Sequence, residues 1–160
     1  MLNQYAANIT REDFSRVLAK TFRTLLGERF ASEGIAYDDT LKPFSDTEDP
    51  DVGWLNSLGI VKGVGEGIFN PSGTITRQEA AVMLTRAAIA LGLRDPAVPV
   101  GFLDLEQASE WARSSVGFVA ANGIMGGTDE NMFSPLGMYT RQQSFVTMLR
   151  LYNAVLSATP

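Results

Sequence analysis

Gly59-Ile60-Val61-Lys62-Gly63-Val64-Gly65-Glu66-Gly67-Ile68-Phe69-Asn70-Pro71-Ser72-Gly73-Thr74-Ile75-Thr76-Arg77-Gln78-Glu79 returns sixty-four residues later. The second copy runs from Gly123-Ile124-Met125-Gly126-Gly127 through Phe133, Pro135 and Gly137 to Tyr139-Thr140-Arg141-Gln142-Gln143, with 10 of 21 aligned positions identical. The ending stands a third time near the start, as Ile9-Thr10-Arg11-Glu12-Asp13. Loop punctuation followed by a helix start, returning at this interval, marks a small array of one supersecondary unit.

Each Thr-Arg ending reads as a helix N-terminus. Thr10, Thr76 and Thr140 are placed to cap, their hydroxyl oxygens accepting from backbone N–H groups two or three residues on. Glu79 and Gln143 complete a capping box, and Asp13 is a shorter version of it. Ile9 before the first cap is placed to staple onto Phe14. Behind each cap runs an apolar pattern of helical period. It takes in Phe14, Val17, Leu18, Phe22 and Leu25, then Ala81, Met83, Leu84, Ala87, Ala88 and Leu91, then Phe145, Met148, Leu149, Tyr152 and Leu156. Three such faces bury one another as a helical bundle. Gly59 and Gly123 read as left-handed residues ending a shorter helix, with Ile60 over Leu55 and Ile124 over Val119. The predicted unit is a short helix, a Gly-rich loop and a longer capped helix, in an all-α domain.

The chemistry open to the chain is narrow. It has 160 residues, no cysteine and no histidine, which removes disulfides, thiol and imidazole catalysis and Cys/His zinc sites. No cofactor is implied, because the glycine loops lack Gly-Lys-Ser/Thr phosphate-loop spacing. A net charge of −5 argues against general nucleic-acid binding. Ala80 to Leu93, the most apolar stretch, is too short for a membrane span and is interrupted by Arg86. Met1 to Asn8 lacks the basic start and apolar run of a secretory signal, so the expectation is an internal protein or a piece of a longer exported one. The carboxylates Asp46, Glu48, Asp49 and Asp51 read as a solvated loop, without calcium-loop spacing or the burial a glycosidase pair needs.

One feature runs against helix electrostatics. Arg11, Arg77 and Arg141 each occupy the first helical position, where the positive end of the dipole disfavours a cation by roughly 0.3–1 kcal/mol. Three equivalent cations call for anions. The compensating group is either an internal carboxylate, with Asp46 and Asp104 as candidates, or an external anion lying on the helix N-terminus.

The residues resemble the S-layer homology family, whose repeat runs Phe-x-Asp, Trp-Ala, Gly-Ile, Gly, Phe-x-Pro and an Ile-Thr-Arg-Ala-Glu box. Phe102-Leu103-Asp104, Trp111-Ala112, Gly123-Ile124, Gly127, Phe133-Ser134-Pro135 and the Arg141 box carry the likeness. Phe44-Ser45-Asp46, Gly59-Ile60, Gly63, Phe69-Asn70-Pro71 and the Arg77 box carry it in the middle copy. The resemblance implies a single domain over 1–160, a pseudo-threefold array of repeats around a central three-helix bundle. Repeat 1 is partial, about 1–30, with repeat 2 at about 44–92 and repeat 3 at about 102–157. It implies a non-enzymatic module on the cell surface, anchoring a larger surface protein to a secondary cell-wall polysaccharide of a Gram-positive-type envelope, often through a pyruvate ketal. The implied ligand-binding residues are Arg141 foremost, then Arg77 and Arg11, with Asp104, Asp46 and the loop glycines Gly63 and Gly127. Trp111 stacks on a sugar or fills the core. The alternative is a degenerate assembly module that binds protein instead of glycan.

The chain departs from the family pattern in two places. Eight residues before Thr10 are too few for a first prong, so one groove should be incomplete unless another part of the parent protein or a second chain supplies the piece. The middle copy has no counterpart of Trp111, so its groove is expected to be altered.

Overall fold

The structure, a computed structural model, describes residues 4–29 and 35–158. Within them the chain is all-α, with α1 (Arg11–Arg29), α2 (Pro50–Ser57), α3 (Arg77–Ala90), α4 (Glu110–Ala121) and α5 (Arg141–Ser157). No strand forms among the described residues, and paired backbone is limited to isolated bridges. The long helices α1 and α5 pack together, while the short helices cover the long ones, α2 on α1 and α4 on α3.

The expected caps form. Thr76 accepts from Glu79 N and Thr140 from Gln143 N, and the Glu79 and Gln143 side chains reach back to close both boxes. In the first copy Thr10 Oγ1 accepts from Asp13 N at 3.1 Å. Asp13 itself turns outward to Arg16 at 3.2 Å and Arg141 at 3.1 Å. Thr140→Ala is expected to destabilise the domain by about 1 kcal/mol in urea unfolding, the usual worth of a lost cap.

The two remaining free donors of each first turn are taken by a neighbouring unit. Arg11 N and Glu12 N donate to Gly73 O and Pro71 O at 2.8 and 3.1 Å. Arg77 N and Gln78 N donate to Gly137 O and Pro135 O, both at 2.9 Å. Arg141 N and Gln142 N donate to Ala7 O and Tyr5 O at 3.0 and 2.9 Å. The bridges Thr10–Thr74, Thr76–Met138 and Thr140–Asn8 follow the same cyclic order. The start of α1 thus binds the loop before α3, that of α3 binds the loop before α5, and that of α5 binds the segment before α1. The starts of the three long helices are satisfied by closing this ring.

Short-helix ends follow the left-handed glycine reading. Gly59 and Gly123 have φ of 71° and 68°. Ile60 N donates to Leu55 O at 2.9 Å, and Ile124 N to Val119 O at 2.8 Å, the six-to-one bond of a Schellman end.

The core contains Ile9, Phe14, Leu18, Phe22, Leu25, Trp54, Phe69, Leu84, Phe133, Leu151 and Val155, all 0–1% exposed. Full burial of each large apolar side chain is worth roughly 1.5–3 kcal/mol. Two readings need correction. On α5, Phe145 and Leu149 are 48% and 61% exposed, while Ser144, Thr147, Met148, Leu151 and Val155 face inward. The inward face can include hydroxyls because Ser144 Oγ donates to Arg141 O at 2.7 Å and Thr147 Oγ1 to Gln143 O at 2.8 Å. Tyr139 Oη also bonds Thr147 Oγ1.

The solvated-loop reading of the acidic run holds for Asp46 and Glu48, which are exposed, and fails for Asp49 and Asp51. Asp49 caps α2, accepting from Asp51 N and Val52 N, and Arg16 donates to it at 2.6 Å. Asp51 is buried, accepts from Tyr37 Oη at 3.0 Å and pairs with Arg23 at 3.5 Å. Between α1 and α2, residues 30–34 lie outside the described residues, and 35–43 form no helix.

Candidate functional site: two grooves beside the box arginines

Two hollows of the same construction lie between units. Each has a box arginine at one end, the following unit's Gly-rich loop along one side, and the next long helix as its floor. The first, about 480 Å³, is lined by Arg11, Lys62-Gly63-Val64 of the loop and Glu79, Val82, Met83 and Arg86 of α3. Trp111 of α4 also lines it. The second, about 330 Å³, is lined by Arg77, Met125 to Thr128, and Gln142, Gln143, Val146, Thr147 and Arg150 of α5, with Tyr139. Position by position, Lys62, Gly63, Glu79, Val82, Met83 and Arg86 correspond to Gly126, Gly127, Gln143, Val146, Thr147 and Arg150.

The arginines act first as braces. Arg77 lies over the Phe133 ring at 4.8 Å and donates from Nε to Phe133 O at 2.8 Å and from Nη2 to Gly126 O at 2.6 Å. Arg11 lies over Phe69 at 5.1 Å, donates from Nη2 to Lys62 O at 2.7 Å and pairs through Nη1 with Glu79 at 3.3 Å. Burial pulls both guanidinium pKa values down, and Glu79 partly offsets this for Arg11. The carbonyl and ring contacts supply negative potential that the helix end withholds. Arg11 Nε is buried without a partner.

Asp46 and Asp104 are not the arginines' partners. Asp104, 3% exposed, accepts from Phe133 N at 2.8 Å and Ser134 N at 2.7 Å. Asp46 accepts from Phe69 N and Asn70 N, both at 2.8 Å. The N–H bonds, that of Phe69 foremost, hold the Asp46 carboxyl below its ordinary pKa. These aspartates fold the loops whose carbonyls the arginines grip. Gly63 and Gly127 complete the same loops. A Cβ on Gly63 would lie 2.5 Å from Ile68 O, and one on Gly127 would lie 2.7 Å from Met132 O, so only glycine fits.

Of the two alternatives, an anion lying on the helix N-terminus finds no free N–H group at the starts of α1, α3 and α5. The first two N–H groups of α1, α3 and α5 go to the neighbouring loop or segment and the third to the threonine. What remains for a ligand is side-chain cations and loop edges. Lys62, Arg86 and Arg150 line the grooves and have no ion pair among the described residues. The first groove holds three cations against one carboxylate, the second two against none.

A model of the S-layer homology domain matches residues 39–81 and 101–143, just over half of the chain. The chain belongs to the S-layer homology family. The surface-layer 125 kDa protein of Lysinibacillus sphaericus is 33% identical over 90 residues, 56% of this chain. The amylopullulanase of Thermoanaerobacterium thermosulfurigenes is 28% identical over 151 residues, 88% of this chain. The match spans only 7% of the length of each relative. S-layer homology domains are non-catalytic modules that anchor surface proteins to the cell wall. Among the described residues no helix is long and apolar enough to cross a membrane.

The S-layer homology grooves rearrange the residues picked out from sequence. Trp111 is 59% exposed, which decides against a core role. It lines the groove of the middle copy's loop, so the groove thought to lack an aromatic receives one from the next unit. Arg141 lines neither hollow and pairs with Asp13 at 3.1 Å. Lys62, Arg86 and Arg150 escaped the sequence reading. A signal existed, because Lys20, Arg86 and Arg150 each stand nine residues after a box arginine.

Proposed function

We propose that this chain anchors its parent polypeptide non-covalently to an anionic secondary cell-wall polysaccharide, and that the groove of Arg11, Lys62, Arg86 and Trp111 takes the acidic sugar. The observation that carries the reading is the pairing of Lys62 and Arg86, which have no ion pair among the described residues, with an exposed indole in one hollow of about 480 Å³. An indole supplies apolar area for a sugar face. A guanidinium and an ammonium supply charge-assisted hydrogen bonds for a carboxylate such as a pyruvate ketal. The chain's net charge of −5 opposes broad attraction to an acidic polymer, so recognition rests on local geometry.

The closed ring of helix-start hydrogen bonds supports a pseudo-threefold array whose units run over about 1–30, 44–92 and 102–157. Arg11 and Arg77 then hold the walls in place and present only their remaining N–H edges. The test is sedimentation with isolated cell-wall sacculi. The chain is expected to pellet with intact sacculi and to stay in solution once the secondary polymer has been extracted. Equal pelleting with stripped sacculi would point to peptidoglycan or protein instead.

A further inference from the structure

The second groove differs from the first in charge and in hydrogen-bonding sense. Glu79 brings a carboxylate to the Arg11 groove, where its Oε1 faces Arg11 Nη1 at 3.3 Å and its Oε2 accepts from Thr76 N at 2.8 Å. Gln143 stands at the same place in the Arg77 groove, and α5 brings no carboxylate to it. The cap fixes how this amide points. Its Oε1 accepts from Thr140 N at 3.0 Å, so Nε2 is left as a donor with no partner among the described residues.

Two guanidiniums converge on the loop at Gly126. Arg77 donates from Nη2 to Gly126 O at 2.6 Å and from Nε to Phe133 O, and its Nη1 has no partner among the described residues. Arg150 reaches the same place from α5, with Nη1 4.0 Å from where a Cβ on Gly126 would stand. Gly126 occupies the place of Lys62 in the first loop, and its lack of a side chain leaves Arg150 that room. Tyr139, on the wall between them, feels both cations: burial raises its phenol pKa, and Thr147, Arg77 and Arg150 pull it back. No carboxylate lines the groove to balance the pair.

We propose that the Arg77 groove binds a doubly charged phosphate group between Arg77 Nη1 and Arg150, and that Gln143, in place of Glu79, sets this preference. A phosphate monoester carries about −1.5 to −2 charges at neutral pH and offers three strong acceptor oxygens. Two guanidinium forks and the Gln143 amide nitrogen are all donors, so they match it in charge and in sense. A lone carboxylate offers one charge and leaves one arginine without a counter-ion. In the Arg11 groove the Glu79 carboxylate repels a dianion, so the two grooves sort different acidic groups. This goes beyond the reading of the Arg11 groove and does not depend on it.

The test titrates the full chain, labelled with nitrogen-15, at neutral pH with glucose 6-phosphate, inorganic phosphate and glucuronate, following backbone amide shifts. None of the three carries a pyruvate ketal, so the outcome is independent of what the Arg11 groove takes. Glucose 6-phosphate is expected to shift the Gly126 and Gly127 amides saturably and to leave that of Gly63 in place. Glucuronate, the same sugar with a carboxylate, is expected to bind at least about tenfold more weakly. Tighter binding of glucose 6-phosphate than of inorganic phosphate assigns the site to a sugar-borne phosphate, and equal binding assigns it to free phosphate. Arg150→Gln should weaken the phosphate probes about 10- to 100-fold. Gln143→Glu should weaken them about tenfold or more while the thermal midpoint holds, because Glu79 shows that glutamate closes the same cap. Arg150 is exposed and has no ion pair among the described residues, so its variant folds. The proposal fails if glucuronate matches glucose 6-phosphate at these amides, if neither variant weakens the phosphate probes, or if no probe shifts the amides saturably.

Discussion

Asp104→Ala is expected to lower unfolding free energy by about 2–5 kcal/mol. Asp104 is 3% exposed, and both carboxylate oxygens accept backbone N–H groups, from Phe133 and Ser134. A buried donor left without an acceptor costs about 1–3 kcal/mol, and this substitution orphans two. The loss propagates. Phe133 is fully buried, its carbonyl accepts from Arg77, and Ser134 sits at φ 57°, a left-handed conformation that a side chain adopts only when held there. Asp104→Asn keeps one acceptor oxygen and should lose about half as much. Asp46→Ala should lose less, because Asp46 is exposed and water replaces it. Urea unfolding of the three variants reads this order directly, and equal losses for Asp46→Ala and Asp104→Ala would contradict it.

Arg86→Gln is expected to weaken polymer binding about 10- to 100-fold while leaving the unfolding midpoint nearly unchanged. Arg86 lines the Arg11 groove and has no ion pair among the described residues. A hydrogen bond to a charged group contributes about 1.5–3 kcal/mol, which converts to that range of affinity. Trp111→Ala should cost about tenfold, since an exposed indole contributes contact area and little to folding. Arg11→Ala is a poorer probe. Arg11 also holds Lys62 O at 2.7 Å and is 8% exposed, so its removal disturbs the loop as well as the ligand. Binding measured at two salt concentrations separates the contributions, because the arginine component is screened and the indole component is not.

The elements were legible because their local signals agree. Thr-x-x-Glu/Gln boxes, left-handed glycines and a helical apolar period all mark the same boundaries, and each mark has its own hydrogen bond in the structure. The third stripe was misread because Phe145 and Leu149 share the helical period with the buried face. Among the described residues no helix covers them. The site was less legible for a different reason. A groove here takes its arginine, loop and indole from three units, so reading each repeat by itself assigned Trp111 to the wrong hollow. Arg141 matches its motif as well as Arg77 does, yet a motif cannot show that its guanidinium turns to Asp13 and lines neither hollow. Of the cations that have no ion pair among the described residues, Arg86 and Arg150 follow a spacing of nine from their box arginines that becomes visible only when the helices are superposed, and Lys62 lies in a loop with no such spacing.

The most direct test of the anchoring account is calorimetric titration of the chain with purified secondary cell-wall polymer, with and without its pyruvate ketals. Wild type, Arg86→Gln, Trp111→Ala and Arg150→Gln are compared at matched stability. The account predicts ketal-dependent binding that collapses in Arg86→Gln and Trp111→Ala and survives in Arg150→Gln, which touches only the second groove. Binding that ignores the ketals, or that persists undiminished without Arg86 and Trp111, would contradict it.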